Sequence, residues 1–187
     1  MLFRSSTTEK FGTGSIYFDG SGDYVTALAN SASGVADPFG FNTGDFTIEG
    51  WLYTTTVASG RKTICASRAT ATDATTGRFS VYANTANLEF FSASANVVFG
   101  GTISTNTWTH FAVTRSSGNV RLFLSGTQVG STTSYTATMP SSVNITIGDN
   151  SAGTESWNGY IDELRITKGY ARYVANFAAP TVAFLSL

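Results

Sequence analysis

The sequence contains few charged residues, and neither sign dominates. Charged side chains make up 12% of the 187 residues, which is about half the usual share. The 11 Lys and Arg residues nearly balance the 12 Asp and Glu residues, and Arg61 and Lys62 are the only adjacent basic pair. This composition excludes the basic surface that binding to nucleic acid or to an anionic membrane requires.

Cysteine and histidine occur once each. Cys65 excludes an internal disulfide, and its place in the apolar run 63–66 indicates a buried, small hydrophobic side chain. His110 lies in a strand pattern, where we interpret it as a core-facing or surface side chain. One Cys and one His also argue against a zinc site.

Long apolar runs are absent. No segment approaches the roughly 20 apolar residues of a membrane helix, and the chain turns polar at Arg4. We therefore expect no signal peptide and no transmembrane segment, in a protein made in the cytosol.

Aromatic residues and strand patterns are abundant. The 14 Phe, 8 Tyr and 3 Trp residues provide the apolar surface of a core. Residues 46–53 alternate with a period of two, with Phe46 and Ile48 on one face and Glu49 on the other. Similar short strands, separated by Gly, Ser, Thr and Asn turns, follow along the chain, and only 170–177 are compatible with a helical turn. The pattern predicts an all-β fold, a two-sheet antiparallel β-sandwich.

Six short segments occur in a characteristic order. They are 14–25, 46–51 (FTIEGW), 108–113 (WTHFAV), 120–126 (VRLFLSG), 145–148 (ITIG) and 159–166 (GYIDELRI). This series resembles the laminin G-like branch of the concanavalin A-like lectin/glucanase superfamily. The resemblance implies a concanavalin A-like jelly roll in which the first and last strands are neighbours. We expect one laminin G-like domain over 1–187, with the sandwich at about 12–168 and a C-terminal extension at 169–187.

The two ends of the chain carry a second resemblance. Residues 10–15 and 165–181 are similar to the corresponding parts of such domains in tailed-bacteriophage structural proteins, which implies a location in the virion. The final residues are apolar, with Phe177, Val182, Phe184, Leu185 and Leu187. Two interpretations remain open: a surface for a partner, or a segment that packs along its own sheet.

Three acidic residues are candidate metal ligands. Asp162 is in phase with Leu164 and Ile166, so its carboxylate would need a partner if that phase faces the core. The resemblance implies one structural calcium near the terminal strands, and Asp19 and Asp23 would supply further oxygen ligands for Ca²⁺. In the alternative interpretation, Asp19 and Asp23 cap a turn, and Asp162 accepts hydrogen bonds from the backbone.

The carboxylates do not have the spacing of a glycosidase site. The resemblance to glucanases would require two carboxylates on one face of one strand, about 5–5.5 Å apart in a retaining enzyme. Glu49 and Glu89 each stand alone on a strand, and the adjacent Asp162 and Glu163 point to opposite faces. We identify no catalytic residue and expect no enzyme activity, and no cofactor other than calcium.

Two aromatic residues are candidate glycan contacts. Sugar sites combine aromatic surfaces with a few convergent polar groups. Trp157 and Tyr135 both lie in polar segments where their rings would be exposed. The alternative for Trp157 is a side chain that packs under the last strand.

Two classes of function follow from these observations. The first is a non-catalytic structural or decoration protein of a tailed-phage virion, which docks on the capsid or tail through other virion proteins and forms a closed homo-oligomer. The alternative is a glycan-binding adhesion module that attaches to host or surface polysaccharide. A degraded hydrolase is a third, weaker hypothesis.

Overall fold

The regular structure consists of strands. A computed structural model describes residues 3–29, 38–56, 59–68, 77–92, 95–139 and 144–185. These ranges contain no helix, so none that could cross a bilayer, and residues 170–177 form no helical turn. The strands are β1 (Phe3–Ser5), β2 (Ser15–Asp19), β3 (Val25–Ala27), β4 (Phe46–Tyr53), β5 (Arg61–Ala66), β6 (Phe79–Asn84), β7 (Asn87–Ser92), β8 (Ala95–Gly100), β9 (Thr109–Ser116), β10 (Asn119–Leu124), β11 (Thr127–Ser134), β12 (Ile145–Ile147) and β13 (Asn158–Lys168).

The strands form two antiparallel sheets. The seven-stranded sheet has the order β1-β2-β13-β4-β9-β10-β11, and the six-stranded sheet has the order β3-β12-β5-β6-β7-β8. In the first sheet Tyr160 of β13 pairs with Tyr17 of β2. This arrangement confirms the predicted sandwich and the predicted contact between the terminal strands. The short edge strand β1, which pairs with β2, was not predicted, because three residues give no periodic signal.

The core lies between the two sheets, and the predicted alternation on β4 places its side chains. Phe46, Ile48 and Leu52 are fully buried in the core cluster. Burying each of these side chains stabilises the fold by about 1.5–3 kcal/mol. Cys65 is also fully buried, as expected, and burial raises the pKa of its thiol to about 12.

A bulge in β13 changes which face its side chains occupy. The pairing with β4 shifts between Asp162 and Arg165, and Glu163 has a positive φ of 51°. An extra residue in a bulge reverses the alternation beyond it. Leu164 and Ile166 therefore pack against the core, whereas Asp162 pairs with Trp51 on the outer face. The expectation that Asp162 shares the phase of Leu164 and Ile166 is wrong, because the sequence does not reveal the bulge.

The C-terminal segment, residues 169–185, has no regular structure and lies along the outer face of the seven-stranded sheet. The backbone nitrogen of Arg172 donates to the Thr47 hydroxyl at 2.9 Å, and that hydroxyl donates to the carbonyl of Tyr170 at 3.0 Å. Phe177 donates its backbone N–H to the carbonyl of Gly126 at 2.9 Å. Much of the segment thus packs along its own sheet, which is one of the two interpretations that the sequence left open. The side chain of Leu185 is nevertheless 88% exposed.

Candidate binding site

The three candidate calcium ligands do not come together. Asp162 Oδ2 accepts hydrogen bonds from the backbone nitrogens of Lys10 (2.8 Å) and Phe11 (3.2 Å), and its Oδ1 accepts one from Glu163 (2.8 Å). Its carboxylate is therefore occupied by backbone donors, which is the alternative that the sequence left open.

The register of β13 separates Asp162 from the other two acids. Asp19 pairs with Asn158 across the β2–β13 ladder, so Asp162 lies four residues further along, about 13 Å away. Asp19 accepts from the backbone of Ser21 at 2.8 Å, and Asp23 is half-buried before β3. Among the described residues no three His, Cys, Asp or Glu side chains lie together as metal ligands. The calcium site predicted from these three carboxylates is wrong in its geometry.

Neither predicted aromatic residue presents an open sugar platform. Trp157 is 2% exposed and belongs to the core cluster. Tyr135 is half-buried, shares a hydrogen bond with the Ser92 hydroxyl and lies edge-on to Phe90, with ring centroids 5.7 Å apart. Burial raises the pKa of the Tyr135 phenol. The burial of Trp157 confirms the alternative interpretation, in which its side chain packs inside the protein. The expectation that both rings are exposed is wrong, because both residues lie against core aromatic or aliphatic groups.

Trp157 instead forms part of a pocket at one end of the sandwich. This end pocket has a volume of about 170 Å³, comparable to the engineered cavity of about 150 Å³ that binds benzene. Its apolar lining consists of Ala83, Ala86, Ile103 and Trp157. Its polar lining consists of Thr54, Thr56, Ser59, Lys62, Ser156 and Asn158, beside Gly20. The pocket is therefore large enough for one six-membered ring and has both apolar and polar walls.

Backbone hydrogen bonds hold the walls of the end pocket together. Ile103 donates to the carbonyl of Ala86 at 2.7 Å, and Asn106 donates to the carbonyl of Thr54 at 2.7 Å. The loop between β8 and β9 is thereby fixed to both sheets. The Thr54 hydroxyl donates to the carbonyl of Asn158 at 2.8 Å, which positions the start of β13. These bonds connect the loops that line the pocket to both sheets.

The loop before β13 is stabilised by an acidic residue that sequence reasoning missed. Asp149 is fully buried and accepts hydrogen bonds from the backbone of Asn150 (2.7 Å) and Glu155 (2.8 Å) and from the Ser156 hydroxyl. The pair Asp149-Asn150 between a strand and a Ser-Ala-Gly turn is a sequence signal for such a self-bonded loop. This loop positions Trp157 and Asn158 at the end pocket.

A second feature that the sequence did not reveal lies under the C-terminal segment. Glu49 is fully buried on the outer face of β4 and receives hydrogen bonds from Arg165 (2.8 Å) and from the Tyr173 hydroxyl (2.8 Å). His110 Nε2 lies 3.4 Å from Glu49 Oε2. Burial opposes ionisation of Glu49, yet its pKa lies below the ordinary value because the neighbouring His110 and the hydrogen bonds from Arg165 and Tyr173 favour the carboxylate.

Aromatic rings of the C-terminal segment cover this acid. Tyr173 and Phe177 stack with their ring centroids 3.5 Å apart, and Phe177 lies edge-on to His110 at 5.7 Å. His110 is fully buried. Glu49 is thus enclosed by basic and aromatic side chains and functions as an anchor for the C-terminal segment.

Comparison with known proteins identifies the family. A family model described as "Concanavalin A-like lectin/glucanases superfamily", of the laminin G type, matches residues 19–172. The chain belongs to this superfamily. No sequence among the curated proteins compared matches this chain.

Solved structures share the fold at low sequence identity. Domain 4 of an extracellular arabinanase from Geobacillus stearothermophilus, in complex with arabinotriose, has a TM-score of 0.64 and 17% identity, over 91% of this chain and 77% of that one. Trypanosoma rangeli sialidase, in complex with the inhibitor DANA, has a TM-score of 0.61 and 14% identity, over 89% of this chain. Domains LG4–5 of the mouse laminin α1 chain have a TM-score of 0.59 and 14% identity, over 89% of this chain. This chain spans only 27% of the sialidase and 46% of the laminin chain.

Proposed function

We propose that this chain is a non-catalytic glycan-binding module that holds one sugar ring in the end pocket. The observation that carries the proposal is the end pocket itself, a preformed cavity of ring size with an apolar wall and several polar side chains. Ligand sites typically combine such a wall with a few placed polar groups that fix orientation.

The polar groups of the end pocket have bonding capacity left for a ligand. The Asn158 side-chain amide and the Thr56 hydroxyl make no hydrogen bond within the described residues, while backbone bonds fix both residues in place. An amide and a hydroxyl match the donors and acceptors of sugar hydroxyls. The apolar wall includes Ile103 and Trp157, which are 3% and 2% exposed, so a sugar ring in the pocket would contact only their exposed edges.

The positions of Glu49 and Glu89 argue against hydrolysis of a bound glycan. Glu49 lies in the seven-stranded sheet and Glu89 in the six-stranded sheet, so they form no pair on one accessible face. Glu89 is fully buried and accepts hydrogen bonds from Arg61 (2.9 Å) and Asn84 (2.8 Å). Glycosidases instead need two accessible carboxyl groups at a defined separation on either side of the bond that breaks.

The comparisons support a recognition role for this fold. The family description includes lectins, and the arabinanase domain was solved with arabinotriose. Because these sequence identities are below 25%, the solved structures support the fold but not the ligand. That this chain binds a sugar is our proposal.

A binding titration tests the proposal. We expect a saturable heat of binding for at least one oligosaccharide that a glycan array selects, and no release of sugar from it. Asn158→Ala removes a side-chain amide from the pocket and should weaken binding about 2- to 10-fold, as expected for about 0.5–1.5 kcal/mol per hydrogen bond. The matched control is Asn119→Ala, at the turn between β9 and β10, which should bind like the wild type. Equal affinity of both variants, or no glycan bound, would refute the proposal.

A structural role in a tailed-phage virion is the second candidate, and the C-terminal segment favours it. Its exposed apolar side chains are Tyr170 (61%), Val174 (56%), Val182 (69%) and Leu185 (88%). Such side chains suit docking on another virion protein. Mass spectrometry of purified particles should then detect the chain, and Val182→Ser with Leu185→Ser should abolish its co-sedimentation. Particles without the chain would exclude this role.

A further inference from the structure

One unpaired cation lines the end pocket. Lys62 is the only charged side chain among the described residues of its lining, which contains no Asp or Glu. The Lys62 ammonium donates no hydrogen bond and forms no ion pair within the part of the chain that the structure describes. It is half-buried near the start of β5, where it pairs with Ala83.

The acidic residues near Lys62 already have partners of their own. Glu89 is bound by Arg61 in an ion pair of 2.9 Å. Glu155 lines an adjoining open hollow that Lys62 also lines, and its Oε2 accepts hydrogen bonds from two neutral groups, the Thr63 hydroxyl (3.2 Å) and the Asn150 amide (3.1 Å). Within the part of the chain that the structure describes, Glu155 forms no ion pair with Lys62, which is the cation in the lining of the end pocket.

We propose that the end pocket selects an anionic sugar, whose carboxylate or sulfate group contacts the Lys62 ammonium while its ring occupies the pocket. This inference rests on the proposed glycan-binding function and specifies its ligand class. An ammonium on a flexible stem with three donors can follow a carboxylate or a sulfate on a ring held beside it. The net charge of the chain is −1, so the preference arises locally and not from the overall field.

Paired ligands test the preference. A panel of oligosaccharides in which each uronic acid or sulfated sugar has a neutral counterpart is titrated into the full chain at two salt concentrations. We expect the anionic member of the best pair to bind about 10- to 100-fold more tightly, the range expected for a hydrogen bond to a charged group. The uronic acid and sulfate arms show which anion is the ligand.

Three variants locate the preference at Lys62. Lys62→Gln should reduce the difference between the anionic and neutral members to less than about twofold, and Lys62→Arg should retain most of it. Lys168→Gln, an equal change of charge at the exposed end of β13, should leave the preference unchanged. A folded Lys62→Gln variant, verified by its thermal unfolding, excludes a loss caused by unfolding.

The outcomes separate this inference from the proposed function. Neutral sugars that bind as tightly as anionic ones, with Asn158→Ala still weakening them, would overturn the selection of an anion and leave the glycan-binding function intact. A preference that survives in Lys62→Gln would overturn the role of Lys62. Absence of binding across the whole panel would overturn both proposals.

Discussion

At the level of single residues, two of the buried acids of this fold bind the terminal segments of the chain. Glu49 is bound by Arg165 and Tyr173 beneath the C-terminal segment. Asp162 is bound by backbone N–H groups of the N-terminal segment. Both acids therefore attach a terminal segment to the seven-stranded sheet.

Glu49→Gln should destabilise the fold by about 1–3 kcal/mol, because the neutral amide loses the charge-assisted hydrogen bonds from Arg165 and Tyr173. Urea denaturation measures the free energy of unfolding. The control is Asp19→Asn, an exposed acid whose side-chain oxygen still caps Ser21, and it should change stability by less than about 0.5 kcal/mol. A neutral effect of Glu49→Gln would contradict the role of this acid as an anchor.

Asp162→Asn should cost about 1–3 kcal/mol, because an amide supplies one acceptor oxygen where the carboxylate supplies two. Since backbone N–H groups occupy both Asp162 oxygens, a chelator should leave the melting temperatures of the wild type and of the variant unchanged. A chelator-dependent fall in the wild type alone would restore the calcium interpretation.

Lowering the pH should decrease the free energy of unfolding, in part because Glu49 becomes protonated. Its pKa in the folded protein lies below the ordinary 4.5, so its stabilising contribution is fully present above about pH 5 and is lost as pH falls through the folded pKa. Urea midpoints measured from pH 7 to pH 3 should fall less steeply for Glu49→Gln than for the wild type. Parallel curves would contradict this assignment.

At the scale of elements, the sequence predicted strands better than it predicted sites. The alternation of Phe46, Ile48 and Leu52 predicted the core face of β4, because a half-buried strand repeats every two residues. It did not predict the bulge at Glu163, since no residue there requires one. The end pocket was likewise not predictable, because it combines loops that only the folded topology brings together.

The C-terminal segment shields His110, which is the only histidine of the chain. Phe177→Ala should remove about 1.5 kcal/mol of packing, which corresponds to about tenfold more frequent opening of the segment. Labelling of His110 by diethyl pyrocarbonate, followed by mass spectrometry, should accelerate by that factor. Val182→Ala, at an exposed position of the same segment, is the control and should label like the wild type. Rapid labelling of the wild type would show that the segment does not cover the sheet.

At the scale of the whole molecule, one face and one end of the sandwich have different roles. The outer face of the seven-stranded sheet is covered by the chain's own terminal segments, with Phe11 against Trp51 and Phe177 against His110. In the end pocket the Thr56 and Asn158 side chains make no hydrogen bond within the described residues. We propose that the loops at this end bind the ligand, whereas the covered sheet stabilises the fold.

Chemical-shift mapping tests most directly whether the end pocket holds a sugar ring. Backbone amide resonances of the labelled full chain are followed while the glycan selected by the array is added. We expect saturable shifts that cluster at Lys62, Ile103 and Trp157–Asn158, with the C-terminal segment unaffected. Shifts confined to Val174, Val182 and the rest of that segment, or no saturable shift, would contradict it.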